Sequence, residues 1–320
     1  MMMVKEVIKK SSNILITSHL HPDGDALGSM LALNKAFKSL GKNVFLYNES
    51  CIPKIFMFLP DIDKIENRIP ESCKFDAAFV LDCSDINRTG HCTELLKSIP
   101  HIINIDHHVT NSKFGTSAII DPKACATAEI IYGLIKKMNI SICKDIAYSI
   151  YTGIFTDTGS FRFSNTTQSA FSICKEMIKC GVRPHKVARQ VYGSYSLGRI
   201  KLINMVLDSI EISKNGKMSL MMLTQEMLNI TGTEKEDVSE LINYAEHIED
   251  VKIAALIKES DKKSTKSECY HVSLRSNGSV DVSAIAYNYG GGGHVTAAGF
   301  TTFMPFGQLK KEMFSLAEKI

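Results

Sequence analysis

Aspartate and histidine recur in this chain at the edges of strand-like and helix-like runs. They are His19, Asp23 and Asp25 in HLHPDGDALGS, Asp82 in FVLDCSD, the triplet Asp106-His107-His108 in INIDHHV, and Asp157 in IFTDTGSF. Carboxylate and neutral imidazole together suit borderline divalent metals such as manganese. Two such ions about 3.5–4 Å apart form the usual clamp for displacement at phosphorus. The chemistry indicated is phosphoester hydrolysis.

Each segment supports a local role. Pro22 and Gly24 force a tight, non-helical path that turns Asp23 and Asp25 in a similar direction. Either aspartate could also cap the helix that follows. Asp82 ends the apolar run FDAAFVL, where a carboxylate is costly unless paired or metal-bound. Its two oxygens suit it to bridge two metals, while its neighbour Cys83 reads as a small packed residue. In the triplet, His107 can ligate with Asp106 accepting its second N–H, leaving His108 to act on substrate as a proton or hydrogen-bond donor. Asp157 lies between two threonines at the end of a helical segment. Far downstream, Gly290 to Gly293 and His294 form GGGGH, followed by Val-Thr-Ala-Ala-Gly. The glycines can bring backbone N–H groups to an anion, and the small residues after them can open a helix. Arg275, in SLRS, offers a planar fork that suits phosphate. His21, His91, His101, His185, His247 and His271 read as surface or structural residues.

The elements that must position these groups alternate. Asn13 to Ser18, Val44 to Tyr47, Phe75 to Leu81 and Ile102 to Ile105 read as buried strands. Leu27, Met30, Leu31, Leu33, Phe37 and Leu40 recur at helical spacing and stop at Gly41. Further helices are expected at about 126–138, 145–156 and 167–180. The expected fold is α/β: a mostly parallel sheet with helices on both faces. His19, Asp82 and Asp106 fall at or past C-terminal strand ends, the edge where such sheets bind ligands. From Pro184 to about Val206 the chain reads as helix and connector, broken at Gly193 and Gly198. A smaller α/β unit follows: strand MSLMML, a helix over 234–247 led by Thr233, strands VKIAALI and YHVSLRS, and a helix at about 307–319. KESDKKSTKSE between its central strands reads as a solvated hairpin loop.

Bulk properties narrow the class. With 320 residues the chain has room for two domains, and 44% hydrophobic content makes disorder an unsuitable description. A net charge of +3, from 37 basic and 34 acidic residues, does not describe a protein that coats long nucleic acid. Nine cysteines without a CxxC pair argue against a disulfide scaffold and for a reducing compartment. No signal peptide and no membrane-length apolar run is recognised, so a cytoplasmic location is expected.

Taken in order, HxxPDxD, LDxSD, DHH, TDTGSF and GGGGH resemble the DHH phosphoesterase family over essentially the whole chain. The resemblance implies a DHH catalytic domain at 1–190, a helical connector at 191–212 and a DHHA1-type substrate domain at 213–320, with a cleft between the domains. Within the family the chain looks most like the stand-alone oligoribonuclease and 3′-phosphoadenosine-5′-phosphate (pAp) phosphatase group. By that likeness His19, Asp23 and Asp82 hold one manganese, and Asp25, Asp82, His107 and Asp157 the other, with magnesium or cobalt as substitutes. His108, Arg275, Gly291, Gly292, Gly293 and His294 meet the substrate, and Arg162 and Arg88 are further phosphate contacts. The implied partners are short RNA or DNA oligonucleotides, pAp or dinucleotides, with no membrane; a homodimer is compatible. The alternatives are a cyclic-di-AMP or pApA phosphodiesterase and a RecJ-like single-strand DNA exonuclease. The RecJ-like enzymes resemble longer chains. A family II pyrophosphatase is disfavoured because its Ser-Arg-Lys-Lys-Gln run is absent here. A catalytically silent nucleotide-binding module is the alternative from outside the enzymes.

Overall fold

A computed structural model describes residues 2–193, 195–233, 241–260 and 269–320. It divides into two compact units, Met1–Ser194 and Tyr195–Ile320.

The first unit contains α1 (Met2–Lys10), β1 (Asn13–Ser18), α2 (Gly24–Ser39), β2 (Asn43–Tyr47), β3 (Ile65–Glu66), β4 (Ala77–Leu81), α3 (Cys92–Ser98), β5 (His101–Asp106) and β6 (Ser117–Ile120). It continues with α4 (Thr127–Lys137), α5 (Lys144–Asp157), α6 (Gln168–Lys179) and α7 (Pro184–Tyr192). The strands form one parallel sheet in the order β3-β2-β1-β4-β5-β6. Strand order therefore reverses between β1 and β4, and a ligand crevice is expected at the C-terminal ends of that pair. Alternation sorts the apolar runs. Ile14, Ile16, Phe79, Leu81, Ile103 and Ile105 face a core shared with α1, α2, α4, α5 and α6. Leu15, Ala78, Val80 and Ile102 face the other side, covered by Cys92 and Leu96 of α3. Both faces are covered, as the continuous hydrophobic runs require. The Asp76 carboxylate accepts the amides of Ser12 and Asn13 at 2.7 and 2.8 Å, fixing the start of β1 beside β4.

The second unit contains α8 (Leu197–Asp208), β7 (Glu211–Ile212), β8 (Met218–Leu223), α9 (Gln225–Thr231), α10 (Ile242–Glu246), β9 (Ile253–Glu259), β10 (Tyr270–Ser276), α11 (Val282–Asn288), β11 (Gly292–His294), β12 (Ala297–Thr302) and α12 (Phe306–Ala317). Its sheet is mixed, in the order β11-β12-β10-β9-β8-β7, with only β8 and β9 parallel. Val272, Leu274, Ala298 and Phe300 pack under α11 and α12. Met221, Ala254 and Leu256 pack on the opposite side with Leu202 and Val206 of α8.

Two local expectations are corrected. Gly198 does not break the chain but lies in the first turn of α8, where an added Cβ would stand 2.3 Å from the Thr231 carbonyl oxygen. The residues after GGGGH do not open a helix. The glycines follow the C-terminal end of α11 and enter the β11–β12 hairpin. Part of the helix expected at 234–247 and most of KESDKKSTKSE lie outside the described residues; Ile242–Glu246 is helical, and β9 and β10 pair as an antiparallel hairpin. The nine cysteines form no disulfide. Among the described residues, no helix is long and apolar enough to cross a membrane.

Candidate metal centre

The sheet reversal brings together side chains from five elements. His19 follows β1, and the 2.7 Å hydrogen bond from its Nδ1–H to the Leu20 carbonyl leaves Nε2 for other partners. That Nε2 lies 3.5 Å from Asp82 Oδ2. Asp23 caps α2, its Oδ1 accepting the amides of Asp25 and Ala26 at 3.0 Å each. The capping role and a ligand role are compatible here, because the second oxygen takes no part in the cap.

Asp25 points into the unit, 1% exposed. Its oxygens accept the Thr127 and Ala128 amides at 2.6 and 2.8 Å, so it holds the positive N-terminal end of α4. Two glycines make this approach possible. An added Cβ at Gly28 would stand 2.4 Å from the Ser149 carbonyl oxygen, and one at Gly153 would stand 2.9 Å from Asp25 Oδ1.

Asp82 follows β4, 2% exposed, with φ +53. That left-handed conformation is uncommon outside glycine, though asparagine and aspartate adopt it most readily. It accepts a 3.0 Å bond from the Thr127 hydroxyl. His107 Nε2 lies 3.8 Å from Asp82 Oδ1 and 3.6 Å from Asp157 Oδ2. After Asp157, at the end of α5, the chain turns through three successive residues of positive φ, Gly159, Ser160 and Phe161. Ser160 and Phe161 hold that turn at a cost in backbone strain.

The triplet is wired differently from expectation. Asp106 does not hold the His107 ring: the acceptor for His107 Nδ1 is the Ala124 carbonyl at 3.3 Å. Asp106 Oδ1 instead accepts from His108 Nδ1 at 2.7 Å and from the His107 amide at 2.8 Å. Asn111 donates to Asp106 Oδ2 at 2.6 Å and to Asn104 Oδ1 at 2.9 Å, completing a buried polar chain behind His108. Sequence reading passed over Asn104, Asn111, Thr127 and Asn165, whose Nδ2 donates to the Asp157 carbonyl at 3.1 Å. An asparagine inside the apolar strand HIINID was the one available signal.

Among the described residues three overlapping donor sets result: His19, Asp23 and Asp82; Asp25, His107 and Asp157; and Asp82, His107 and His108. Within each set, one atom per residue lies within 4.8 Å of the others. The electrostatics suit a cation. Burial pushes Asp82 up, but the hydrogen bond and charge of His19, with His108 and His107, bring it below the usual carboxylate range. Burial, then the negative charges of Asp82 and Asp157, raises Asp25 well above that range. Burial likewise pushes Asp157 up to about 7. Asp23 moves up through the protein packed round it and through Asp82, although its exposure lets water offset part of the shift. Like charges crowded in this way resist ionisation until a cation compensates them. Cys83 is not among the donors. Its thiol, pushed up to about 12 by burial, donates to the Asp85 carbonyl at 3.0 Å.

Arg88 is exposed, donates to the Ser84 hydroxyl at 3.4 Å, and its charge opposes protonation of His108. Arg162 is exposed and donates to the Gly159 carbonyl at 2.6 Å on its own loop. In the second unit, Arg275 and His294 face Ala297 from either side, placing all three on one face of the sheet. An added Cβ would stand 2.2 Å from the Gly299 carbonyl oxygen at Gly291 and 2.5 Å from that of Ala297 at Gly293, whereas at Gly292 it meets nothing within 4 Å. Gly291 and Gly293 are therefore demanded by the hairpin, and Gly292 is not.

The profile of the DHH family, N-terminal domain, matches residues 13–154, and that of the DHHA1 domain matches 222–313. The chain belongs to the DHH family of phosphoesterases, hydrolases of phosphoester bonds. It is 31% identical to the bifunctional oligoribonuclease and PAP phosphatase NrnA of Thermus thermophilus, over 94% of this chain and 88% of that one. Identity to the Bacillus subtilis protein of the same name is 26%, over 91% and 89%. A crystal structure of an exopolyphosphatase-related protein from Bacteroides fragilis superposes with a TM-score of 0.92 at 27% identity, covering 99% of this chain and 95% of that one.

Proposed function

We propose that this chain hydrolyses short oligonucleotides to mononucleotides and removes the 3′-phosphate of pAp, using two manganese ions. One observation carries the reading: Asp82 belongs both to the set with His19 and Asp23 and to a set with His107, which in turn joins Asp25 and Asp157. A shared carboxylate between two donor sets is the arrangement a pair of ions needs. The activities named for the Thermus and Bacillus relatives supply the substrate class. Aspartate-rich donor sets with imidazole suit manganese. Unpaired thiols favour a cytoplasmic setting.

His19, Asp23 and Asp82 would hold one ion; Asp25, Asp82, His107 and Asp157 would hold the other. When bound, the ions supply Lewis-acid polarisation of the phosphoryl oxygens and make a water molecule more acidic. Asp82 keeps the two sets in one crevice. Asp106 holds His108 by Nδ1, so its Nε2 is the atom that delivers a proton to the departing oxygen. Arg275, His294 and the open backbone at Gly292 bind the nucleotide; Arg88 and Arg162 contribute charge toward phosphate.

A substrate panel tests the reading: pAp, pApA, cyclic di-AMP, short RNA, short DNA and pyrophosphate, each with manganese, magnesium, cobalt or chelator. Phosphate from pAp and mononucleotides from short RNA should appear with manganese and vanish with chelator. Turnover of cyclic di-AMP or pyrophosphate far above these would overturn it.

A further inference from the structure

The face of the second sheet that carries Arg275 has another basic end. Residues 271, 273 and 275 of β10 share one side, because Val272 and Leu274 are committed to the core beneath α11 and α12. In register, Lys258 of β9 lies directly across from His271, and Thr301 of β12 lies on its other side. His271 Nδ1 and Thr301 Oγ1 are 3.3 Å apart. Between this row and the row of Arg275, Ala297 and His294 lie Ser273, Gly299 and Gly292, small residues on β10, β12 and β11, with Leu256 beside them on β9. Beside Lys258 and His271 opens a cavity of about 200 Å³, also lined by Leu223, Gln225 and Leu228.

We infer that Lys258 and His271 form a second phosphate-binding pole, which engages an oligonucleotide at a phosphate remote from the one near Arg275 and so favours longer substrates over pAp. The inference rests on the nucleotide-binding role proposed for Arg275.

Charge supports it. On this face, β8, β9, β10, β11 and β12 present no acidic residue. Among the described residues, none accepts a hydrogen bond from the Lys258 ammonium or pairs with it. Glu259, the acid lining the cavity, has Oε2 engaged by the Gln225 amide at 3.0 Å. Burial, then the charge of Arg275, lowers the Lys258 pKa; burial, then Lys258, lowers that of His271. An anion would relieve both. Span sets the substrate. His271 and Arg275 are four positions apart, about 13 Å of strand at about 3.3 Å per residue. A stacked strand advances about 3.4 Å per nucleotide, so a chain of several nucleotides matches the spacing of the two rows. A single nucleoside with two phosphates matches less of it.

The test is binding of fluorescein-labelled RNA pentamer and dimer to the full chain in chelator, read by anisotropy across a salt series. Lys258→Ala should weaken the pentamer about tenfold, the scale of one lost charge-assisted contact, and raise the pentamer-to-dimer ratio of Kd accordingly. The slope of log K against log salt should fall by about 0.7, the value for one phosphate on a single strand. Lys258→Arg should restore both, and His271→Asn should reproduce part of the loss. Equal weakening of pentamer and dimer, or an unchanged pentamer, overturns the second pole. Should Lys258→Ala lower the melting temperature, Lys258→Gln, which keeps the stem, carries the same comparison. A wild-type chain that binds neither RNA would instead overturn the nucleotide-binding reading.

Discussion

Asp82 joins a conformational demand to an electrostatic one. Its backbone sits at φ +53 and its carboxylate is buried among three histidines. Asparagine accepts the left-handed conformation, removes the charge and exchanges one acceptor oxygen for an NH2 donor. Asp82→Asn should therefore fold normally, lose bound metal and lose hydrolysis of every substrate. Metal analysis beside an activity assay decides it: more than a few per cent of activity with two ions retained would refute the bridging role. His108 is the complementary case. His108→Ala should keep both ions and lower kcat by roughly 10²-fold, as expected for lost proton donation. Asp106→Asn should act through His108, lowering kcat and shifting the basic limb of its pH profile toward acid, with little change in KM. His107→Ala should instead cost an ion. Metal loss from the His108 variant rather than the His107 variant would exchange the two roles.

At the scale of elements, α2, α4 and α5 meet at Asp25, and the meeting depends on missing side chains. Gly153→Ala places a methyl 2.6 Å from Ala128 Cβ and 2.9 Å from Asp25 Oδ1. Overpacking of this kind costs about 1–3 kcal/mol, so the melting temperature should fall, and metal affinity should fall with it because Asp25 must move. Lower stability with unaltered metal affinity would confine the effect to packing. Much of this arrangement was legible beforehand. NILITS, FDAAFVL and INIDHHV are apolar runs ending in polar loops, which placed three loops at one sheet edge. The support beneath them was not legible. Asp25 takes its amide donors from Thr127 and Ala128, a pairing that arises only when α4 docks, and no local pattern encodes it. The glycine run was ambiguous for a related reason: an anion cradle and a crowded hairpin both demand glycine. Separate alanine substitutions resolve the two. Gly292→Ala should fold as wild type and weaken nucleotide binding, whereas Gly291→Ala and Gly293→Ala should destabilise the second unit. A Gly292→Ala variant with unaltered KM would remove that backbone from the substrate site.

For the whole molecule, the donor cluster stores repulsion that protons or metal must relieve. The pKa of Asp157 is raised to about 7 in the fold, from 3.8 in the unfolded chain. Its stabilising contribution is therefore complete below pH 3.8 and disappears as pH rises through about 7. At about 1.4 kcal/mol per unit, the loss is on the order of 4 kcal/mol. His19 and His108, also raised, lose stabilisation in the same direction. Asp82 and Asp106, lowered, lose theirs only under acid conditions. The metal-free chain should thus melt higher near pH 5.5 than near pH 8, a difference that Asp157→Asn should reduce. Manganese should cancel the difference and bind more tightly as pH rises, since it displaces protons. Thermal scans in chelator and in manganese at both pH values measure this. A metal-free protein more stable at pH 8 would contradict the stored repulsion.

The donor sets also differ in how much chain each needs. His19, Asp23 and Asp82 are present once the residue after β4 has been made; the set of Asp25, His107 and Asp157 waits for the last residue of α5. At ribosomal speeds of about 5–20 residues per second, that interval lasts seconds. A nascent chain halted between Asp82 and Asp157 owns every donor of one set and only part of the other. Uptake of a second ion should thus report that the first unit has been synthesised through α5, which a labelled-metal filter assay on arrested ribosome complexes would read directly.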